Sequence, residues 1–365
     1  MITVKKEGIL LKKTSLPFED EGVLNPAVIC EGGIVHMFYR AVRKGNYSTI
    51  GYCKFDGPLK LTERNETPLL IPQFDYESHG VEDPRIVKID ELYYLTYTAY
   101  DGVNASGALA TSSDLKQFER HGIIVHQFSY EEFKRLAECN GPLNEKYERF
   151  HVLNNIRNNP DKKMLLWDKN VVFFPRRIKG KLNFLHRIRP DIQIAAVNNI
   201  KELTKEFWEN YFLHLDENIV LVPKYEHEVS YIGAGSPPIE TEQGWLLIYH
   251  GVHDTPAGYV YSACAALLDL ENPNKEIVRL PYALFKPEYD WELKGEVNNV
   301  VFPTGTALIG DTLYIYYGAA DKRIACASVS LKELVNELVS NIKVIEPESI
   351  VKVPELVTNI LIHGN

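Results

Sequence analysis

The stretch Gly80-Val81-Glu82-Asp83-Pro84-Arg85 sets two adjacent carboxylates, a proline and a guanidinium directly before strongly β-forming runs at 86–89 and 92–98. Acids at a strand entrance, rather than on a solvated face, can do general acid–base work, because burial and a neighbouring negative charge both hold a proton on a carboxyl near neutral pH. Four other motifs share this grammar: Leu24-Asn25-Pro26, Trp167-Asp168-Lys169-Asn170, Gly233-Ala234-Gly235-Ser236-Pro237-Pro238 and Asn298-Asn299-Val300-Val301-Phe302-Pro303. Several put proline where a strand begins and its missing N–H costs no ladder bond. The polar residues inside them are more than turns require.

The elements that must position these motifs repeat. Five times an apolar strand, a turn rich in Gly, Asp, Glu or Lys and a strand of alternating aromatic and aliphatic residues follow one another, with second strands at 34–40, 92–98, 181–187, 245–251 and 312–318. A further strand of small and apolar residues follows each. This order predicts an all-β chain, a single five-bladed β-propeller domain over 1–365 with blades near 20–56, 80–122, 165–199, 230–270 and 298–330. Loops entering the inner strands then gather round one central depression. A large β-sandwich with coincidental spacing is the plainer alternative. Residues 130–150 and 200–215 read as helical insertions suited to a lid or an oligomer contact. Residues 330–338 read as a short C-terminal helix capped by Ser330 with Glu333 as its partner.

Composition narrows the chemistry. With 365 residues, 45% hydrophobic, 24% charged and a net charge of −9, the chain is globular and has no basic stripe for a nucleic-acid backbone. Five well-separated cysteines and no i,i+4 histidine pair offer neither a disulfide framework nor a metal set, so no metal is expected. No run is apolar enough to span a bilayer, which makes the cytoplasm the expected location, or the periplasm if a leader was removed. The expected partner is a small neutral or charged ligand rather than nucleic acid or membrane, with a homo-oligomer possible.

The segment 80–102, His186-Arg187, Ile232-Gly233-Ala234-Gly235 with Pro237-Pro238-Ile239 and 244–252, and 300–303 with 316–321 together resemble glycoside hydrolase family 130, from Asn25 to Ala327. The resemblance implies a five-bladed propeller acting on β-mannosides by inversion, as a phosphorylase or a mannosidase. It implies that Asp83 is the proton donor, acting through the 3-hydroxyl of the bound mannose. The plainer role for Asp83 is a cap on the turn before Pro84.

The nucleophile decides between water and phosphate. Arg40, Arg43, Lys169, Arg187 and Arg189 are candidate phosphate ligands. The phosphorylases of this family commonly carry Lys directly before Ile-Gly-Ala-Gly, however, and here that position is Tyr231, preceded by the acids Glu226 and Glu228. A carboxylate there can activate water. The leading expectation is therefore hydrolysis of β-mannosides, with β-1,2-linked manno-oligosaccharides inferred from the resemblance, Asp83 as acid and Glu226 or Glu228 as base. For each of those two glutamates an exposed strand edge is the plainer role. The alternative is a phosphorylase releasing mannose 1-phosphate, with Lys169 and Arg187 on the phosphate. A carbohydrate-binding propeller without catalysis stands third. Asn25, Arg40, Tyr249, His250 and Asp321 are candidates for the sugar hydroxyls, and Arg85 is suited either to a carboxylate or to sugar. His186 and His250 have a plainer alternative as buried core histidines. No cofactor is expected, phosphate being a co-substrate in the second reading.

Overall fold

The computed structural model describes residues 2–156 and 163–345; the last part of the expected domain, 346–365, lies outside the described residues. The all-β expectation holds. The strands form five consecutive antiparallel sets: Gly22–Glu31, Ile34–Arg43, Tyr47–Asp56 and Lys60–Arg64; Gly80–Ile89, Leu92–Tyr100, Ala105–Ser112 and Glu119–Ile123; Lys169–Phe173, Leu182–Arg187, Ile192–Val197 and Ile219–Leu221; Tyr231–Ala234, Gly244–Thr255, Gly258–Leu268 and Glu276–Arg279, with Ile239–Thr241 also on the second strand; and Val301–Ile309, Thr312–Ala319 and Arg323–Ser330. The first two sets touch through one parallel pair, Ser48 with Gly80.

The fourth strand of the last set is Lys5–Leu11, antiparallel to Arg323–Ser330 with Lys5 opposite Ser328. The chain's first strand thus completes its last sheet. A local repeat cannot reveal such a partner, because it lies at the other end of the sequence. The expected unit boundaries also stop short of the fourth strands at Lys60–Arg64, Ile219–Leu221 and Glu276–Arg279, which are short and partly exposed.

Both faces of the inner strands are apolar, so each set packs on two neighbours. Ala27, Phe38, Ile86 and Leu95 join the first to the second; Val87, Val171, Phe173 and Phe184 the second to the third; Leu185, Ile194, Trp245 and Leu247 the third to the fourth; Leu246, Ile248, Val301 and Ile315 the fourth to the fifth. Val23, Met37, Tyr316 and Cys326 join the fifth back to the first.

A second repeat secures the sets at their outer strands. Glu19, Glu77, Glu228 and Glu292 are all fully buried. Each accepts a hydrogen bond from a tyrosine of the second strand, Tyr39, Tyr97, Tyr249 and Tyr317 respectively. Each also pairs with a cation of the fourth strand: Arg64, Arg120, Arg279 and Lys6. In three cases the glutamate ends a short helical turn written aromatic-acid-aromatic-Glu, and the two aromatic rings stack: Phe74 on Tyr76, Tyr225 on His227 and Tyr289 on Trp291. Buried carboxylates persist because every oxygen is paired.

Helices Tyr130–Ala137 and Glu145–Ile156 form the first insertion, and Lys205–Leu213 the core of the second. Phe133, Trp208 and Phe212 pack them on the second and third sets. The C-terminal helix, Leu331–Ile345, begins as expected, with the Glu333 amide donating to Ser330 Oγ at 3.1 Å. No helix among the described residues is long and apolar enough to cross a membrane.

Candidate active site

The first strands of four sets break register at the same place: between Leu24 and Ala27, Glu82 and Arg85, Lys169 and Val172, and Pro303 and Gly305. An extra residue there re-aims a side chain. In three of them the residue is left-handed: Asn25 at φ 49°, Asp83 at φ 48° and Asn170 at φ 56°. The left-handed region suits Asn and Asp, whose short polar side chains tolerate it best after glycine. The motif grammar in the sequence is therefore a set of bulges.

Asn25 and Asp83 meet: Asn25 Nδ2 donates to Asp83 Oδ1 at 2.7 Å. Gly318 makes room, since a Cβ there would stand 2.2 Å from Asn25 Oδ1. Arg40 joins the first two sets, donating to Glu82 at 2.7 Å and to Ser48 Oγ at 2.9 Å, with its other terminal nitrogen 3.6 Å from Asp83. Arg85 lies beneath and donates to three backbone carbonyls, of Gly235 at 2.5 Å, Asp83 at 3.0 Å and Pro84 at 2.9 Å. Its role is to hold the Asp83 bulge to the fourth set, so neither a carboxylate nor sugar is its primary contact. A cavity of about 610 Å³ opens on Arg40 and Asp321 and is lined also by Asn46, Glu296 and Lys322, within the range of about 300–1,000 Å³ usual for small-molecule sites.

The charges are not disposed as the sequence suggests. Burial raises the Asp83 carboxyl, but Arg40, Lys169 and Arg85, with the Asn25 hydrogen bond, outweigh it and hold the group below its ordinary value. The expectation that Glu82 raises Asp83 is corrected: Arg40 is bound to Glu82, and Asp83 faces a set of cations. Among the acids of this cluster the raised carboxyl is Asp321, pushed up to about 6 by burial and by Asp83 and Glu82, against Arg40 and Lys169.

Cations lie within electrostatic reach of the acids, Lys169 of Glu82 and Asp83 and Arg187 of Asp83. Burial lowers both Lys169 and Arg187. Arg187 is fixed by His250, whose Nε2 lies 3.0 Å from the guanidinium and whose pKa burial holds well below the ordinary histidine value, leaving a neutral ring to accept the bond. Gly233 permits the pair, since a Cβ there would stand 2.5 Å from the His250 ring and 2.9 Å from Arg187. His250 thus positions Arg187, and its burial removes it from direct sugar contact. Among the described residues, Lys169, Arg187 and Arg189 have no carboxylate within 4.0 Å, and Arg187 Nε and one terminal nitrogen of Arg85 are buried without a partner.

Glu226, Glu228 and Tyr249 do not join this cluster. Glu226 is exposed in a separate cleft lined by His227, His253 and Lys286. Glu228 is enclosed by Tyr249, Arg279 at 3.0 Å and the amides of Lys224 and Tyr225 at 3.0 and 3.3 Å. The expected water-activating pair is corrected to one exposed acid and one structural carboxylate, and the expected sugar ligand Tyr249 to that carboxylate's partner. The repeated aromatic-acid-aromatic-Glu string at 74–77, 225–228 and 289–292 was the signal in the sequence. His227, Glu228 and Cys264 bring ligand atoms within 4.8 Å of one another, but both Glu228 oxygens are taken and burial pushes the Cys264 thiol well up, which suits packing better than a cation. His186, tied to Asp168 at 2.9 Å and Tyr211 at 2.8 Å, is a core histidine. The residues that sequence reasoning passed over are Glu82 as the partner of Arg40, Asn170 as a third bulge residue, and Arg189's aromatic surroundings.

The family model described as beta-1,4-mannooligosaccharide phosphorylase matches residues 11–340. A 1,2-beta-oligomannan phosphorylase of Thermoanaerobacter sp. (strain X514) is 33% identical over 348 residues, 92% of this chain and 99% of that protein. A beta-1,2-mannobiose phosphorylase of the same organism is 34% identical over 334 residues, 87% of this chain and 93% of that one. The solved structure of the Listeria innocua beta-1,2-mannobiose phosphorylase with beta-1,2-mannobiose shares the fold, with TM-score 0.69 at 23% identity over 93% of this chain and 100% of that chain. Matched along nearly its whole length by the family model and by these relatives, the chain belongs to glycoside hydrolase family 130.

Proposed function

We propose that the protein is a β-mannoside phosphorylase acting on β-1,2-linked manno-oligosaccharides, and that its five strand sets are the blades of a five-bladed propeller closed by Lys5–Leu11. The ring of apolar layers from the first set round to the first again supports the architecture. The observation that carries the function is the set of cations without carboxylate partners among the described residues: Lys169 and Arg187, whose charges act on Asp83, and Arg189, which shares the Tyr231 ring with Arg187. Buried Arg187 and half-buried Lys169 and Arg189 cost free energy unless an anion joins them. Phosphate is such an anion, and the relatives named above are phosphorylases of β-1,2-mannosides.

In this reading a phosphate oxygen held by Lys169 and Arg187 attacks C1 of the mannosyl unit from the side opposite the leaving group. The C1–O bond breaks, Asp83 gives its proton to the leaving oxygen by way of the 3-hydroxyl, and α-mannose 1-phosphate forms with inversion. Phosphate also prepares the acid. Its negative charge offsets Lys169, one of the cations that keep Asp83 ionised, so anion binding raises the Asp83 pKa when a proton is needed. Arg40 and Asp321 line the sugar side, and Asn25 orients Asp83. Hydrolysis loses its support here, because neither Glu226 nor Glu228 faces Asp83.

Incubation with β-1,2-mannobiose and longer β-1,2-manno-oligosaccharides, with and without inorganic phosphate, tests the reading. Mannose 1-phosphate formed only when phosphate is present is the expected product. Free mannose released at the same rate without phosphate would establish hydrolysis instead, and tight sugar binding with no turnover would leave a binding propeller.

A further inference from the structure

Tyr231 stands directly before Ile-Gly-Ala-Gly, where the resemblance to the family's phosphorylases implies a lysine, and its surroundings give it a role. The Arg187 guanidinium lies 5.3 Å from the centre of its ring and that of Arg189 5.1 Å. Two like charges on one ring repel each other, so something must hold them. Arg189 is also 4.7 Å from the Phe150 ring and 5.9 Å from Trp167, and it donates to Asn154 Oδ1 at 2.5 Å. Phe150 meets Tyr231 edge to face at 5.3 Å. Tyr231 is itself pinned by a hydroxyl pair with Tyr261, and Trp167 by a 2.9 Å bond from its indole N–H to the Val103 carbonyl.

Phe150 and Asn154 both belong to the helix Glu145–Ile156. That helix is anchored one turn earlier by Tyr147, whose hydroxyl donates to Asp191 at 2.7 Å and accepts from Gln193 at 3.2 Å. Asp191 and Gln193 flank the start of the strand that follows Arg189. One helix therefore grips the segment 189–193 at both ends. The insertion that the sequence leaves as a lid or an oligomer contact is packed on the cationic side of the site.

We propose that Tyr231 and the helix Glu145–Ile156 form an aromatic clamp that fixes Arg189 beside Arg187 as a second guanidinium for inorganic phosphate, in place of the missing lysine. Arg189 binds the anion; Tyr231, Phe150 and Asn154 are positioning residues. Ring faces hold guanidinium groups while leaving their N–H edges free for phosphate oxygens. The proposal rests on the phosphorylase reading and has its own point of failure.

The test compares wild type with Tyr231→Phe, Tyr231→Leu, Asn154→Ala and Arg189→Met in phosphorolysis of β-1,2-mannobiose, varying phosphate and sugar separately. Tyr231→Phe keeps the ring and should keep the wild-type KM for phosphate. Tyr231→Leu and Arg189→Met should raise that KM about tenfold or more, and Asn154→Ala about threefold, with the KM for sugar unchanged. Thermal unfolding identifies a variant that does not fold, and Asn154, partly exposed on the helix, provides the mildest change. Equal losses in both KM values, or a phosphate KM unmoved in folded Arg189→Met, would overturn the clamp. Wild type that makes no mannose 1-phosphate would instead overturn the phosphorylase reading itself.

Discussion

Asn25 and Asp83 are 58 positions apart, stand in equivalent bulges of neighbouring strand sets, and share a 2.7 Å hydrogen bond from amide to carboxylate. Each needs a left-handed backbone to reach the other. The bond stabilises the ionised carboxylate and fixes its orientation, so the side chain proposed as proton donor is held in place before it takes up a proton.

Asp83→Asn should lower kcat for phosphorolysis by about 10²–10⁴-fold, the contribution usual for a general acid. The amide keeps the size of the side chain but not the charge that Arg40, Lys169 and Arg85 stabilise, so the melting temperature should fall while the variant still folds. Steady-state kinetics with a thermal melt check both; turnover near wild type in a folded variant would remove Asp83 from the mechanism.

Glu226 and Glu228 should part company. Glu226→Gln, at an exposed position, should change neither turnover nor stability. Glu228→Ala should cost about 3 kcal/mol or more, because it leaves Arg279 and Tyr249 buried beside a gap. Glu77→Ala should do the same, although it lies in another strand set. Urea unfolding of the three variants measures this, and a Glu226→Gln enzyme that loses turnover while keeping its stability would restore the hydrolytic mechanism.

Lys169→Met should weaken phosphate binding by about ten- to a hundredfold, the loss of one charge-assisted contact. His250→Ala should also raise the KM for phosphate, since it frees Arg187 from the 3.0 Å contact that orients it. Initial rates at varied phosphate read both effects; a change confined to the KM for sugar would contradict the assignment.

Stability should carry the mark of Asp321. Burial pushes its carboxyl up to about 6 in the folded protein, from an ordinary value of 3.8. A raised carboxyl favours the folded state while it is protonated, so its contribution is full at low pH and is lost as pH rises towards 6. Asp321→Asn should therefore gain stability relative to wild type between about pH 4 and 6, by roughly 2–3 kcal/mol, and the gap should stay level above that. Melting curves of both proteins across this range decide it, and a gap independent of pH would show that Asp321 is not the group.

The sequence by itself determined the all-β class, the order of strand pairs, the insertions at 130–150 and 200–215 and the cap at Ser330, because turn chemistry and apolar alternation act over a few residues. It also named Asn25, Arg40, Asp83, Lys169, Arg187 and Asp321 as candidates, but in one set with Tyr249, Glu226 and Glu228, which the fold places elsewhere. Tertiary structure decided what local signals cannot carry. The closing partner of the last strand is Lys5–Leu11, from the far end of the chain. The raised carboxyl of the cluster is Asp321 and not Asp83, because a pKa follows from charges brought together across strand sets. Glu228 is a structural carboxylate, since its partners Tyr249 and Arg279 are 21 and 51 positions away. The acids at 226–228 looked reactive as a string, and burial with a full set of hydrogen bonds made one of them inert.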